Sequence, residues 1–350
     1  MTKTVKVGNI LIGGGNRISV QSMTNTDTSD YDSTLAQITQ LQSAGCDIVR
    51  LAVSNDRDVA CCKKLVEHVG VPLVADIQFD YRLAIKCAEI GFSKIRINPG
   101  NIGDNEKVKA VVDACKSAHV PIRVGVNFGS LDKDIYKKYG NSPRALVESA
   151  MQHVALLEKC GFDDIVISVK ASSVDLCVQA YRLLSVTTDY PLHVGITESG
   201  GGESAVLKSA IGIGSLLLDG IGDTIRVSLS DNPVEEVYAA KKILRAVGKD
   251  KNYCEIVSCP TCSRCKYDLI GTVKEMQDYV KDITVPMKIA IMGCVVNGPG
   301  EAKDCDFGVA GGGDKAVLFE RGEIVKTISL DDVIPELKAK IDKKVKEFKK

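Results

Sequence analysis

The sequence has no tryptophan, and aromatic residues make up only 5% of it. Leu, Ile and Val must therefore fill the core, and a hydrophobic content of 45% supplies them. Net charge is also missing, because 45 Lys and Arg balance 45 Asp and Glu. No global field draws the chain to nucleic acid or to an acidic membrane surface, and neither is expected as a partner. No apolar run reaches the length of a membrane span; residues 165–169 are typical and strand-sized. The N-terminus, Met1-Thr-Lys-Thr-Val-Lys-Val, lacks a signal-peptide core, which predicts a cytoplasmic protein. The four histidines show no metal-ligand spacing. Thirteen cysteines, an odd number scattered mostly through apolar segments, do not form a secreted disulfide framework.

What is present is a repeat. From about residue 18 to 230 a short β-rich run alternates with a helix-like stretch every 25–30 residues or so. The runs begin at Ile18, Asp47, Pro72, Lys94, Pro121, Asp164, Leu192 and Asp223. Helical stretches end in Gly45, Gly91 and Gly161 just before the next run, the usual helix stop. Eight such units predict an α/β fold, an N-terminal (β/α)8 barrel over residues 1–250, with an open doubly wound sheet as the less favoured arrangement. The pattern fades near residue 250. Residues 251–350 read as a smaller α+β domain with a strand-like run at 287–292, a Gly-rich loop at 311–313, a hairpin over 316–327 and a helix over 331–350. That helix presents Leu337, Ile341, Val345 and Phe348 on one face, so its lysines read as a solvated surface.

In such a barrel the active site lies at the C-terminal strand ends. Those positions carry Arg50, Asp76, Arg96, Asn98, Arg123, Asn127, Lys170, Glu198, Arg226 and Ser228. Arginine within an apolar strand is costly unless it meets an anion. One arginine taken alone could pair with a core carboxylate or point outward. Cations at five strand ends point instead to a phosphate or diphosphate, held by guanidinium forks and Asn or Ser donors. Asp76 and Glu198 are the acids of the set, each a general acid, a hydroxyl anchor or an ion-pair partner. The segment Asn98-Pro-Gly-Asn reads as a turn.

Ligand chemistry of another kind sits late in the chain. Cys259-Pro-Thr-Cys262 places two thiols on one tight turn, Cys265 adds a second x-x-Cys step, and Cys294 lies in Gly293-Cys-Val-Val-Asn-Gly-Pro-Gly-Glu301. Four thiolates would suit zinc or a cubane cluster. Cys259, Cys262 and Cys294 with Glu301 would instead leave one iron on a harder, exchangeable oxygen ligand. Spacing alone does not choose, and it leans toward Cys265 as the fourth ligand.

These residues resemble the bacterial 4-hydroxy-3-methylbut-2-enyl diphosphate synthase family across nearly the whole chain. The likeness runs through Gln21-Ser-Met-Thr-Asn-Thr-Asp-Thr, Ile95-Arg-Ile-Asn-Pro-Gly-Asn, Gly195-Ile-Thr-Glu, Ser258-Cys-Pro-Thr-Cys and Met292-Gly-Cys-Val-Val-Asn-Gly-Pro-Gly-Glu. The resemblance implies a [4Fe–4S] cluster on Cys259, Cys262 and Cys294, with Glu301 as exchangeable fourth ligand and Cys265 a bystander. It implies an iron–sulfur oxidoreductase of non-mevalonate isoprenoid synthesis. Two electrons from ferredoxin or flavodoxin would open and dehydrate 2-C-methyl-D-erythritol 2,4-cyclodiphosphate, with Glu301 and Glu198 in catalytic roles. It also implies a head-to-tail homodimer. Gln78 departs from the family, where His is usual; an amide can orient a substrate but cannot shuttle a proton. The competing reading is a phosphate-binding barrel, similar to a pterin synthase, with a zinc-stabilised appendage.

Overall fold

The structure, a computed structural model, describes residues 1–296 and 298–349. It divides into two compact units, Met1–Lys249 and Asp250–Lys350. No helix among the described residues is long and apolar enough to cross a membrane.

The first unit opens with an antiparallel hairpin, β1 (Val5–Val7) and β2 (Ile10–Ile12). Strands of three residues are too short to show a period, so the repeat gives no sign of them. Eight parallel strands follow: β3 (Ser19–Met23), β4 (Ile48–Ala52), β5 (Leu73–Asp76), β6 (Lys94–Ile97), β7 (Ile122–Asn127), β8 (Ile165–Lys170), β9 (His193–Val194) and β10 (Thr224–Ile225). Their order is β8-β7-β6-β5-β4-β3-β10-β9. A single bridge, Ile167 to Leu192, completes the ring between β8 and β9, with Ile167 N donating to Pro191 O at 2.9 Å. This is the (β/α)8 barrel that the repeat predicts.

Local chemistry explains why each unit turns where it does. Helices start on side-chain caps: Asp30, Asn55, Asp80, Asp104, Ser142, Ser173 and Asn232 each accept from backbone N–H groups of the first turn. Gly45, Gly91 and Gly161 end helices with φ of 89°, 100° and 68°, a left-handed conformation that glycine adopts without strain. The strands then sort their side chains by parity. Val49, Leu51, Ile95, Ile97, Ile122, Val124, Ile167 and Val169 pack against the helices as part of the main core. Ile48, Val74 and Val166 face the other way and pack with Val5, Val7 and Ile12, so the hairpin closes the N-terminal end of the barrel.

The second unit is a five-stranded sheet: β11 (Cys254–Ser258), β12 (Met287–Met292), β13 (Phe307–Gly312), β14 (Lys315–Glu320) and β15 (Glu323–Ser329), in that order. The first three are parallel and the last two pairings antiparallel. Helices Leu269–Val280 and Val333–Phe348 cover one face through Leu269, Met276, Leu337 and Ile341 against Ile289, Ile291 and Val309. Three details differ from the sequence reading. Gly311 and Gly312 belong to β13 rather than to a loop, paired with Ala316 and Lys315 of β14, and a Cβ at Gly311 would meet the Tyr267 ring at 2.7 Å. Phe348, the last residue of the final helix, is 64% exposed rather than inward. Residues 99–102 form a short helix, Pro99–Ile102, with Asn98 as its cap. Asn297 and Lys350 lie outside the described residues.

Candidate functional site

Parity decides what faces the inside of the barrel. In β6 the sequence Lys94-Ile-Arg-Ile alternates, so Lys94 and Arg96 share the inner face while Ile95 and Ile97 pack outward. Register carries that face round the ring. Met23 stands beside Arg50, Asp76 beside Arg96, Arg96 beside Arg123, and Asn127 beside Lys170. Six cations thus lie on or just past the strands: Arg50, Lys94, Arg96, Arg123, Lys170 and Arg226. Asp76 is the single carboxylate within the eight strands. Barrel interiors are ordinarily packed with branched aliphatics, and this one is a cationic chamber.

The bonding inside is uneven. Arg96 donates to Asp76 Oδ1 at 3.0 Å and to Gly125 O at 3.2 Å, while Arg50 stands 3.9 Å from Asp76 Oδ2. Burial would push Asp76 up, but Arg50, Arg96 and Arg123 together hold it below the usual carboxylate value. Burial brings Arg50 down to about 10, against the pull of Asp76. Arg226 pairs with Glu236 of helix Pro233–Ala246 through two 3.1 Å contacts, and Glu236 also accepts from Ser22 Oγ at 2.8 Å. Other polar groups have no hydrogen-bond partner. Lys94 Nζ, Arg123 Nε and Nη1, both ring nitrogens of His193 and both amide atoms of Gln21 are buried without one. Native proteins rarely leave such groups bare, and most of these bare atoms lie on cationic side chains or the His193 ring. Burial, reinforced by neighbouring cations, lowers Lys94, Lys170 and His193 well below their ordinary values.

Two glycines make room for these side chains. A Cβ on Gly125 would lie 2.5 Å from Arg96 Nε, and one on Gly195 would lie 2.4 Å from Arg226 O and 2.7 Å from Lys170 Nζ. Asn98 is buried and accepts from Gly100 N at 3.3 Å, Asn127 stands at the start of the short turn after β7, and Ser228 is half-buried. Glu198 is exposed beyond β9 and holds φ 53°, a conformation costly for a side-chain-bearing residue. Gln78 and the 71% exposed Phe79 follow β5. Lys94, His193, Gly125, Gly195 and Glu236 were not singled out by the sequence reading. The alternation of β6 could have found Lys94, since it stands two residues before Arg96. The clefts of about 470, 510 and 600 Å³ lie elsewhere and are lined by other residues.

In the second unit the cysteines follow two neighbouring parallel strands. Ser258 at the end of β11 is in register with Ile291 of β12, so Cys259 and Cys294 emerge from the same sheet end. Gly293 N donates to Cys259 Sγ at 3.2 Å. Cys265 N donates to Cys262 O at 3.0 Å, closing the tight turn, and Tyr267 Oη ties it to Met292 O at 3.0 Å. The Arg264 backbone N–H, aided by the Arg264 charge and Cys265 N–H, lowers the exposed Cys262 thiol. Cys265 donates its thiol to Tyr267 O at 3.3 Å. Glu301 closes the short helix Gly298–Glu301 and is exposed. Among the described residues no three Cys, His, Asp or Glu groups already stand at metal-holding distance. The donor set nevertheless suits a thiophilic metal group: thiols from two loops leave one sheet end, with a backbone N–H already directed at a sulfur.

Residues 2–241 match the family profile of the GcpE TIM-barrel domain, and residues 255–343 match that of the GcpE protein C-terminal domain. The chain is 54% identical over 348 residues to a 4-hydroxy-3-methylbut-2-en-1-yl diphosphate synthase (flavodoxin) of Caldanaerobacter subterraneus, covering 99% of this chain and 98% of that one. It is 55% identical over 338 residues to the protein of the same name from Clostridium perfringens, covering 96% and 97%. Among solved structures the barrel is similar to dihydropteroate synthase from Stenotrophomonas maltophilia, with TM-score 0.52, 15% identity and coverage of 71% of this chain and 98% of that one. A Yersinia pestis dihydropteroate synthase gives TM-score 0.50 at 15% identity, covering 71% and 100%. At that identity the likeness to pterin synthases is one of fold.

Proposed function

This chain belongs to the GcpE family, and from that premise we propose that its barrel binds 2-C-methyl-D-erythritol 2,4-cyclodiphosphate while its cysteine loops hold a [4Fe–4S] cluster. The chain is an oxidoreductase that makes 4-hydroxy-3-methylbut-2-en-1-yl diphosphate, the activity its relatives are named for, with flavodoxin as the donor given in those names. The observation that carries the substrate reading is the excess of inward cations over Asp76, with Arg123 nitrogens buried and bare. A cyclic diphosphate brings two negative charges and many acceptor oxygens to that surplus.

Arg50, Arg96, Arg123 and Lys170 hold the diphosphate. Asn98, Asn127 and Ser228 supply neutral donors at the strand ends. Asp76 keeps Arg96 and Arg50 splayed on the wall, and Glu236 fixes Arg226 by a two-point contact. Glu198, exposed four residues past the carboxyl end of β9, donates the proton or anchors a hydroxyl. Cys259, Cys262 and Cys294 hold the cluster, with Glu301 as the exchangeable fourth ligand. When bound, the cluster supplies the two electrons of the reaction and an iron able to act as Lewis acid. In balance, two electrons and two protons enter, one ring C–O bond breaks, and one hydroxyl leaves as water. The head-to-tail homodimer belongs to the same reading, with the cysteine loops of one copy serving the barrel of its partner.

The test is anaerobic. Purified protein is analysed for iron and sulfide, reduced through flavodoxin, and supplied with the cyclodiphosphate. Formation of the linear diphosphate supports the reading; stoichiometric zinc, no sulfide and no product after reconstitution overturn it. Arg123→Ala should weaken substrate binding by about 1.5–3 kcal/mol, the worth of a hydrogen bond to a charged group. An unchanged Michaelis constant would remove that arginine from the site.

A further inference from the structure

Lys94 is the inward cation that the preceding reading leaves without a task. It is fully buried, and its Nζ has no hydrogen-bond partner. It stands two residues before Arg96 on β6, on the same face and about 6–7 Å deeper. The charged groups that bear on it are Arg123 from β7 and Arg50 from β4, and Lys94 in turn bears on His193 of β9. The nearest carboxylate along the sheet, Asp76, is engaged by Arg96 and Arg50. An ammonium there has three donors, no acceptor and only cations for company. Burial, then Arg123 and Arg50, accordingly push Lys94 well below the ordinary lysine range.

We propose that Lys94 is a further anion-holding residue of the barrel, one that becomes an ammonium only as the diphosphate enters, so that substrate binding carries a proton into the protein. This rests on the reading of the barrel as a diphosphate site. Two negative charges above the arginines reverse the field at Nζ and make the protonated amine the favoured form. An arginine would be charged at all times and would repel Arg123 and Arg50 in the empty barrel; lysine, whose proton can leave, avoids that repulsion. The arginines recruit the anion, and Lys94, lowered in the empty barrel as Lys170 also is, tightens the hold once it has arrived.

Calorimetric titration of the cluster-loaded protein tests this, with the cyclodiphosphate as ligand and no reductant, at about pH 8 in two buffers of different ionisation enthalpy. The ring's own acids titrate far below neutrality, so any proton taken up belongs to the protein. The wild type should take up a proton on binding. Lys94→Met should bind about tenfold more weakly, with an uptake lower by close to one proton, and should melt no lower than wild type because it removes a buried bare amine. His193→Asn should keep the uptake. Equal uptake in wild type and Lys94→Met overturns the proposal, as does loss of uptake in His193→Asn with retention in Lys94→Met. Failure of the ring to bind the wild type at all sinks the diphosphate reading itself, and this inference with it.

Discussion

Arg96 donates to Asp76 at 3.0 Å across two neighbouring strands, and both side chains are nine-tenths buried. Asp76 is the one carboxylate that the eight strands set against their cations. Breaking a buried pair by removing one partner typically costs about 3–5 kcal/mol. Asp76→Asn should therefore lower the unfolding free energy by an amount of that order, measured by urea denaturation. Acid should act on the same link. The folded carboxyl lies below its ordinary 3.8, so its stabilisation is present above that pH and is lost as pH falls through the lower, folded value. Unchanged stability in Asp76→Asn would mean that the cations do not need this counter-charge.

Gly125 and Gly195 should respond differently to the same added methyl group. At Gly125 the methyl meets the Arg96 guanidinium, the end of a flexible side chain that can shift away from Gly125 O while staying with Asp76, which also keeps Arg50 as its second partner. Gly125→Ala should fold and show a raised Michaelis constant. At Gly195 the methyl meets Arg226 O, which belongs to the backbone. Gly195→Ala should lose stability outright, by about 1–3 kcal/mol or more as for an overpacked core. Circular dichroism melting together with steady-state kinetics separates the two. Equal melting temperatures would refute the distinction.

The barrel was legible because its eight runs and its helix-ending glycines each follow from local chemistry. The gathering of Arg50, Arg96, Arg123 and Lys170 on one face of the barrel was legible because cations in apolar strands are costly without a partner, while their role toward a ligand is left to the tests above. The remainder depends on contacts between distant residues. Nothing near Arg226 in a strand-end pattern announces Glu236, which reaches it from the following helix. His193 reads as one more histidine until β9 turns it into the interior, and Gly125 reads as a strand residue until Arg96 is seen to lie over it. The short β1–β2 hairpin carries no period to read at all. In the second unit, the placing of Cys259 and Cys294 at one sheet end follows from the parallel pairing of β11 with β12, which spacing along the chain does not reveal.

His193 gives the fold a pH dependence of definite sign. Burial first, then the neighbouring Arg123, lower its folded value well below 6.5, so the ring is neutral in the fold. Below pH 6.5 the unfolded chain binds a proton there that the folded chain does not. Stability is therefore lost as pH falls through 6.5, with a contribution approaching about 1.4 kcal/mol per pH unit. His193→Asn should flatten the dependence of unfolding free energy on pH between about 6.5 and 5. An identical slope in the variant would place the responsible group elsewhere. Lys94 and Lys170 act with the same sign below their ordinary 10.5.

Cysteine variants should separate the two ligand sets that spacing leaves open. Cys259 already receives Gly293 N–H at its sulfur, and Cys294 leaves the adjoining strand, whereas Cys265 gives its thiol to Tyr267 O. Cys259→Ser, Cys262→Ser and Cys294→Ser should each fall well short of the roughly four irons and four sulfides of a full cluster. Cys265→Ser should load normally. Glu301→Ala should keep iron and sulfide yet lose turnover if, as proposed, the exposed Glu301 is the harder, exchangeable oxygen ligand. Anaerobic iron and sulfide analysis alongside activity reads all five. If Cys265→Ser empties the site while Glu301→Ala remains active, the metal is held by four thiolates, and the exchangeable-ligand reading is wrong.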